Sequence, residues 1–299
     1  MIRPQTLLEN LELIAQQVVE GFIIGLHKSP FHGFSVEFAE HRLYNQGDSL
    51  RHIDWRVYGR TDKLFVKRFE EETNLRCCLA IDTSASMHFP EDPERLSKLQ
   101  FACLAAASLL QLLKRQLDAT ALALFDERVH YFSDCRSAQR HYRMLLHEID
   151  KTLRYKPRKR TRAAAALHLI AEQMHKRSLI IVFSDMMDDA EHTEALFSAL
   201  QHLRYNKHEV ILFHIMDRQQ EMDFAFEQRP YEFVDMESGE KVRLQPQQVK
   251  DQYVGQMRAF RELVAQRCHQ YRIDRVEADL SEPVDQVLHA FLLKRNKLL

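Results

Sequence analysis

An aspartate and two serines stand at alternate positions in Asp82-Thr83-Ser84-Ala85-Ser86, directly after the apolar run Cys77 to Ile81. The run reads as a buried strand, and it ends where a carboxylate and hydroxyls begin. Strand end, polar turn and helix is the order in which open α/β sheets place ligand sites. Asp82, Ser84 and Ser86 supply only hard oxygen donors, a set that suits Mg2+ and not zinc. The same residues also suit a plain loop, with Asp and Ser making local turns and capping the next helix. The rest of the chain decides between these readings.

The chain of 299 residues has room for one large domain, or a medium one with an appendage. Its hydrophobic share of 45% and charged share of 28% are those of an ordinary soluble globular protein. A net charge of -1 gives no global attraction to nucleic acid or to an anionic membrane. No apolar run approaches the ~20 residues of a membrane span, and the N-terminus lacks the continuous apolar core of a signal peptide. The five cysteines are scattered, with no CxxC spacing, and read as buried thiols of a reducing cytoplasm.

Leu7, Leu11, Ile14, Val18 and Phe22 fall at helical spacing and predict an amphipathic first helix. From Gly33 to Phe69 short alternating pieces, including Asp54 to Tyr58, predict antiparallel strands and turns. Residues 1–75 thus read as a small N-terminal module, and residues 76–299 as the main domain. There strands and helical stretches alternate. Asp92, with Pro93 behind it, is placed to cap a helix whose inner face is Leu96, Leu99, Cys103, Ala106, Leu110 and Leu113. Strands are predicted at Ala119 to Phe125, Val129 to Phe132, Leu179 to Phe183, Val210 to Phe213 and Ile273 to Val276, with helices between them. A hairpin near 224–245 is inserted before a helix from Pro246 to Tyr271. The fold class that follows is α/β: a mostly parallel, Rossmann-like sheet with helices on both faces.

In such a sheet the loops after the strands meet at one edge. Two further loops there carry hard oxygens: Thr161 opens an Ala-rich helix, and Asp185 ends the most apolar strand. Asp82, Ser84, Ser86, Thr161 and Asp185 together resemble the metal-ion-dependent adhesion site of von Willebrand factor A domains. The resemblance implies Mg2+ (or Mn2+) held by these five residues. Two carboxylates and neutral hydroxyls leave a divalent cation with an open or water-filled position, which a partner's carboxylate can take. No Lys or His in these motifs has the place of a general base. Such a site suits docking more than catalysis.

A second resemblance covers more of the chain. Tyr44 to Asp48, Arg51 to Arg56, Arg60-Thr61 and Phe65 to Glu72 are similar to the signature of the family named domain of unknown function 58, as is Phe233 to Glu240. The resemblance implies a bacterial protein that works with a MoxR-type AAA+ ATPase in protein assembly or maturation.

Other features have plainer readings. Asp54 with Arg51 or Arg56, and Trp55 buried at a domain junction, read as an internal lock. Arg154 to Arg162 is strongly basic, and Arg158, Lys159, Arg160 and Arg162 are candidate partner-binding residues beside Thr161. Asp188 and Asp189 suit a place behind the metal or a helix N-terminus. Cys77 and Cys78 read as inert. The absence of a Gly-rich phosphate loop argues against nucleotide hydrolysis by this chain. The reading is therefore a non-enzymatic, metal-dependent protein-interaction adaptor. Its alternatives are a metal-dependent hydrolase using the same carboxylates, or a structural domain with a vestigial site.

Overall fold

The computed structural model describes residues 3–23, 36–43, 55–61, 63–71, 75–154, 163–187, 193–236 and 239–298, with the backbone alone for 21–23, 36–42, 56, 66–71 and 294–298. The chain divides into two units, Phe31–Leu75 and the combination of Met1–Pro30 with Arg76–Leu299.

The first helix, α1 (Pro4–Ile23), buries Leu7, Leu11, Ile14 and Val18, the stripe that the spacing predicts. It lies in the larger unit and not with residues 31–75, because this stripe packs onto a helix of that unit. The smaller unit holds β1 (Val36–Leu43), α2 (Trp55–Thr61) and β2 (Phe65–Glu71), with β1 and β2 antiparallel. One expectation is corrected here. Trp55 to Tyr58 is helical and not a strand piece. Within this unit Trp55 packs edge-on against Tyr58. Arg51 and Asp54 lie outside the described residues.

The larger unit is built on β3 (Arg76–Asp82), α3 (Lys98–Arg115), β4 (Ala119–Phe125), β5 (Val129–Phe132), α4 (Gln139–Thr152), α5 (Ala163–Gln173), β6 (Leu179–Ser184), α6 (Thr193–Tyr205) and β7 (Glu209–Met216). An inserted hairpin, β8 (Tyr231–Val234) and β9 (Lys241–Leu244), precedes α7 (Pro246–Tyr271), β10 (Asp274–Asp279) and α8 (Val284–Leu298). The sheet order is β10-β7-β6-β3-β4-β5, parallel except for the edge strand β5. Helices α1, α3, α4 and α8 contact one another on one side, and α5, α6 and α7 on the other. Strands covered on both faces have no polar side to show, which is why β3, β4, β6 and β7 read as continuous apolar runs. Cys78, Ala80, Ala121, Ala123, Ile180 and Val182 share one core with α5, α6 and α7.

The start of α3 departs from expectation. Asp92 makes a local turn, accepting from the Glu94 N–H, and does not cap the helix. The cap is Ser97, whose hydroxyl accepts from Gln100 N–H (3.2 Å) while Gln100 Oε1 accepts from Ser97 N–H (2.9 Å). This reciprocal pair fits the helix start better than Asp92, because it satisfies two otherwise orphaned donors at once. It makes Lys98 the first helical residue. From Leu99 to Leu113 the helix is buried almost all round, as expected of one enclosed between a sheet and other helices.

Candidate functional site

Strand order reverses beside β3: β4 follows on one side of it, and β6 arrives on the other. The crevice outside the carboxyl ends of β3 and β6 is therefore a topological switch point, where such sheets bind ligands. The register pairs Ile81 with Phe183, so Asp82 and Ser184 leave the sheet side by side.

The loop after β3 is fixed by its own polar groups. Thr83 donates both its N–H (2.7 Å) and its hydroxyl (2.9 Å) to the Phe125 carbonyl at the end of β4. Asp82 Oδ1 accepts from Ser84 N–H (2.9 Å), the Asx turn that this residue type favours. Asp82 Oδ2 accepts from the Ser184 hydroxyl (2.7 Å), and the Ser84 and Ser86 hydroxyls lie 3.1 Å apart. A 3₁₀ turn, Ala85–His88, then closes the loop. After β6 the backbone passes through φ 57° at Met186, a left-handed conformation that costs a residue bearing a β-carbon ~1 kcal/mol or more. Met186 N–H donates to Ser184 Oγ, Met187 N–H donates to Asp185 Oδ1, and His214 Nε2 lies 3.0 Å from the Asp185 carbonyl.

The structure thus gathers Asp82, Ser84, Ser86 and Asp185 at one edge. Thr161, Arg158, Lys159, Arg160, Arg162, Asp188 and Asp189 lie outside the described residues. It also places a cation that sequence reasoning missed. Lys98 is fully buried, and its Nζ donates to Asp185 Oδ2 and Glu221 Oε1, each at 2.6 Å. Glu221 belongs to a π-helical turn, Arg218–Met222, and its Oε2 accepts from Asp217 N–H. Asp217 pairs in turn with Arg95 at 2.7 Å. A signal for Lys98 was present: it heads the row Ala102, Ala105, Leu109 and Leu112 on a helix that is apolar all round, where a solvated lysine has no face to occupy. Nothing comparable marks Glu221, which a π turn brings inward.

Among the described residues, Asp82, Asp185 and Glu221 bring three carboxylates into the cluster, against the single ammonium of Lys98. Burial, and then Asp185, push the Asp82 carboxyl up to about 7 despite the hydrogen bonds from Ser184 and Ser84. Burial also raises Glu221, against the pull of Lys98. For Lys98 burial alone would favour the neutral amine, but Asp185 and Glu221 outweigh it and hold the ammonium charged. Burial and the Arg275 guanidinium push His214 down to about 4, so its imidazole is neutral. Among the described residues, no three His, Cys, Asp or Glu side chains form a metal-holding group. The donors beside the two carboxylates are hydroxyls. Carboxylates set among hydroxyl oxygens fit a divalent hard cation such as Mg2+ and do not fit a soft one. Burial raises the thiols of Cys78, Cys103, Cys135 and Cys268, and all five cysteines are free; four are buried as expected, while Cys135 is only partly buried.

Known proteins similar to this chain carry little functional information. The uncharacterized protein Rv1480 of Mycobacterium tuberculosis and the uncharacterized protein Mb1516 of Mycobacterium bovis are each 24% identical to it over 210 residues, 70% of this chain. The matched region spans 64% of the length of these curated relatives. Among solved structures, BatB from Bacteroides thetaiotaomicron is similar at 14% identity with a TM-score of 0.42, covering 75% of this chain and 99% of that one. An aerotolerance-related membrane protein from Bacteroides fragilis is similar at 13% identity with a TM-score of 0.41, over the same shares. Among the described residues no helix is long and apolar enough to cross a membrane. The family described as "Protein of unknown function DUF58" matches residues 40–263, and this chain belongs to it.

Proposed function

We propose that the chain is a non-enzymatic, cytoplasmic adaptor of von Willebrand A-like design. It binds Mg2+ (or Mn2+) through Asp82, Ser84, Ser86 and Asp185, with Thr161 completing the set. The metal's open position grips an acidic residue of a protein partner, and the adaptor works with a MoxR-type AAA+ ATPase in protein assembly or maturation. The observation that carries this reading is the convergence of Asp82 and Asp185 at the switch point, buried beside hydroxyls with Lys98 as the one buried ammonium among the described residues. Buried carboxylates in that number call for a counter-cation. Two described groups that could activate a water are otherwise engaged. Lys98 is held charged between two carboxylates, and the neutral His214 is fully buried between Arg275 and the Asp185 carbonyl. That favours docking over hydrolysis.

The test is affinity capture with the wild type and Asp82→Ala, in Mg2+ and in chelator, alongside thermal melting. Tenfold Mg2+ over its Kd should stabilise the wild type by about 1.4 kcal/mol and leave Asp82→Ala unmoved. An AAA+ ATPase or an acidic client should be retained only by the wild type with Mg2+. Turnover of phosphate or ester substrates that vanishes in Asp185→Ala would replace the adaptor with a hydrolase.

A further inference from the structure

Beside the candidate cation site opens a pocket of about 560 Å3, within the size range of ligand sites. Ser86, one of the hydroxyls of that site, is part of its wall, so the pocket begins where the donors for a cation end. The hairpin β8–β9 and α7 form the far side. The walls there are aromatic. Phe224 lies 4.5 Å from Tyr253 and 5.7 Å from Phe233 between ring centroids, and Phe226 lies 5.2 Å from Phe233. Met187, two residues beyond Asp185, and Val242, opposite Phe233 in the hairpin register, add apolar surface. Val242 is 53% exposed.

The charged residues of the lining do not ask for a charged occupant. Lys98 and Glu221 are paired with each other, and Asp235 and Glu240 at the hairpin turn have partners within the protein. The aromatic and aliphatic surface that remains gains most by excluding water with another apolar group. The neighbouring site gives the reason for an occupant of a particular kind. Mg2+ gives up its waters reluctantly, so a single carboxylate at its open position secures little affinity and no choice between acidic partners. That choice has to come from the surface beside the metal. Interfaces concentrate it by anchoring one large side chain in a desolvated pocket.

We infer that this pocket takes a large apolar side chain of the partner segment whose carboxylate reaches the cation. The inference rests on the adaptor reading and names its kind of partner: an extended segment with an acidic residue two positions from a large apolar one. In an extended chain, residues two apart point the same way at roughly 7 Å spacing. Shared Ser86 places the two features side by side, so one segment reaches both.

The test uses the full chain and fluorescein-labelled peptides, read by anisotropy. Their core is X-Ser-Asp-Ser-X between glycines and serines, with X as Phe, Ser or Arg, which serves either chain direction. A matching set carries Asn for Asp. In Mg2+ the Phe peptide should bind about tenfold or more tighter than the Ser peptide, and should weaken in chelator and with Asn. Phe233→Ala should remove most of that advantage. Val242→Asn, at an exposed position that leaves folding intact, should remove part of it. Neither residue belongs to the metal set, so both variants should keep the Mg2+-induced stabilisation of the wild type. A Phe advantage that persists in chelator and in Asp82→Ala supports the pocket while the adaptor reading fails. Mg2+-dependent binding of the Asp peptides without a Phe advantage retains the adaptor reading and overturns the pocket. An Arg peptide that binds as well as Phe, an advantage unchanged in both variants, or no binding by any peptide would overturn it too.

Discussion

Lys98 Nζ sits 2.6 Å from Asp185 Oδ2, and both side chains are wholly shielded from solvent. The ammonium is a tethered cation at a carboxylate that closes the central strand, and it shares its charge with Glu221. A buried ion pair adds little net stability, but removing one partner leaves the other charge stranded. Lys98→Met should therefore destabilise the protein by about 3–5 kcal/mol. It also makes the cluster more negative, so Mg2+ should recover more stability in the variant than it adds to the wild type. Lys98→Met/Glu221→Gln should restore part of the loss. Urea unfolding with and without Mg2+ checks all of this, and a Lys98→Met protein as stable as the wild type without metal would contradict the ion cluster.

The raised Asp82 carboxyl makes stability depend on pH in a particular sense. Its folded value of about 7 lies above the ordinary 3.8, so between them the native state holds a proton that the unfolded state has released. Stability contributed by this group in metal-free protein must then fall as pH rises from about 4 to about 7, with a slope of at most ~1.4 kcal/mol per pH unit. Below that window both states are protonated, and above it both are ionised. Mg2+ needs the carboxylate, so its stabilisation should be small at the acid end and full above about pH 8. Asp82→Asn, which cannot titrate, should lack the slope. Melting curves across the window in chelator, compared with that variant, decide it. A slope of opposite sign that Asp82→Asn removes would show that the carboxyl is not raised.

Helix α1 is part of the larger unit through its buried stripe. Leu7 is fully buried on it, and α1 packs on α3, whose first residue is Lys98. Leu7→Ala removes a buried side chain and leaves a cavity, which costs about 2–5 kcal/mol. The loss should fall on the unfolding transition of the larger unit, followed by hydrogen exchange in β3 and β6. A change confined to residues 31–75 would argue that the helix belongs with them.

Most of the parallel sheet was legible because burial on both faces leaves one sequence signal, the unbroken apolar run. The runs at Leu79, Leu122, Ile181 and Leu212 all mark strands in the interior of the sheet. Asp82 and Asp185 were legible because each stands at the end of such a run, and a parallel sheet sends those ends to one edge. Three things did not show. The start of α3 shifted from Asp92 to Ser97, since a single Asp-Pro pair competes poorly with a reciprocal Ser–Gln cap. Trp55 to Tyr58 is helical where short alternation suggested a strand, because a few residues fit either period. Glu221 meets Lys98 across 123 residues of sequence through a π turn, and no local period encodes such a meeting.

Ser184 sets the last expectation. Its hydroxyl donates to Asp82 Oδ2 at 2.7 Å and accepts from Met186 N–H, so it links the ends of β3 and β6 and steadies the strained turn at Met186. The donated bond favours the ionised Asp82 and opposes the effects of burial and Asp185. Ser184→Ala removes that bond and nothing of comparable strength replaces it, so the Asp82 carboxyl should move further up. A hydrogen bond to a charged group worth ~1.5 kcal/mol corresponds to about one pH unit. The pH at which half of the Mg2+ stabilisation is present should rise by about that amount, while its full extent at high pH stays close to wild type, because Asp82 and Asp185 remain. Ser184→Thr, which keeps the hydroxyl, should restore the original midpoint. Titrating Mg2+-induced stabilisation against pH for the three proteins separates this from simple loosening of the turn: loosening would lower the plateau and leave the midpoint where it was.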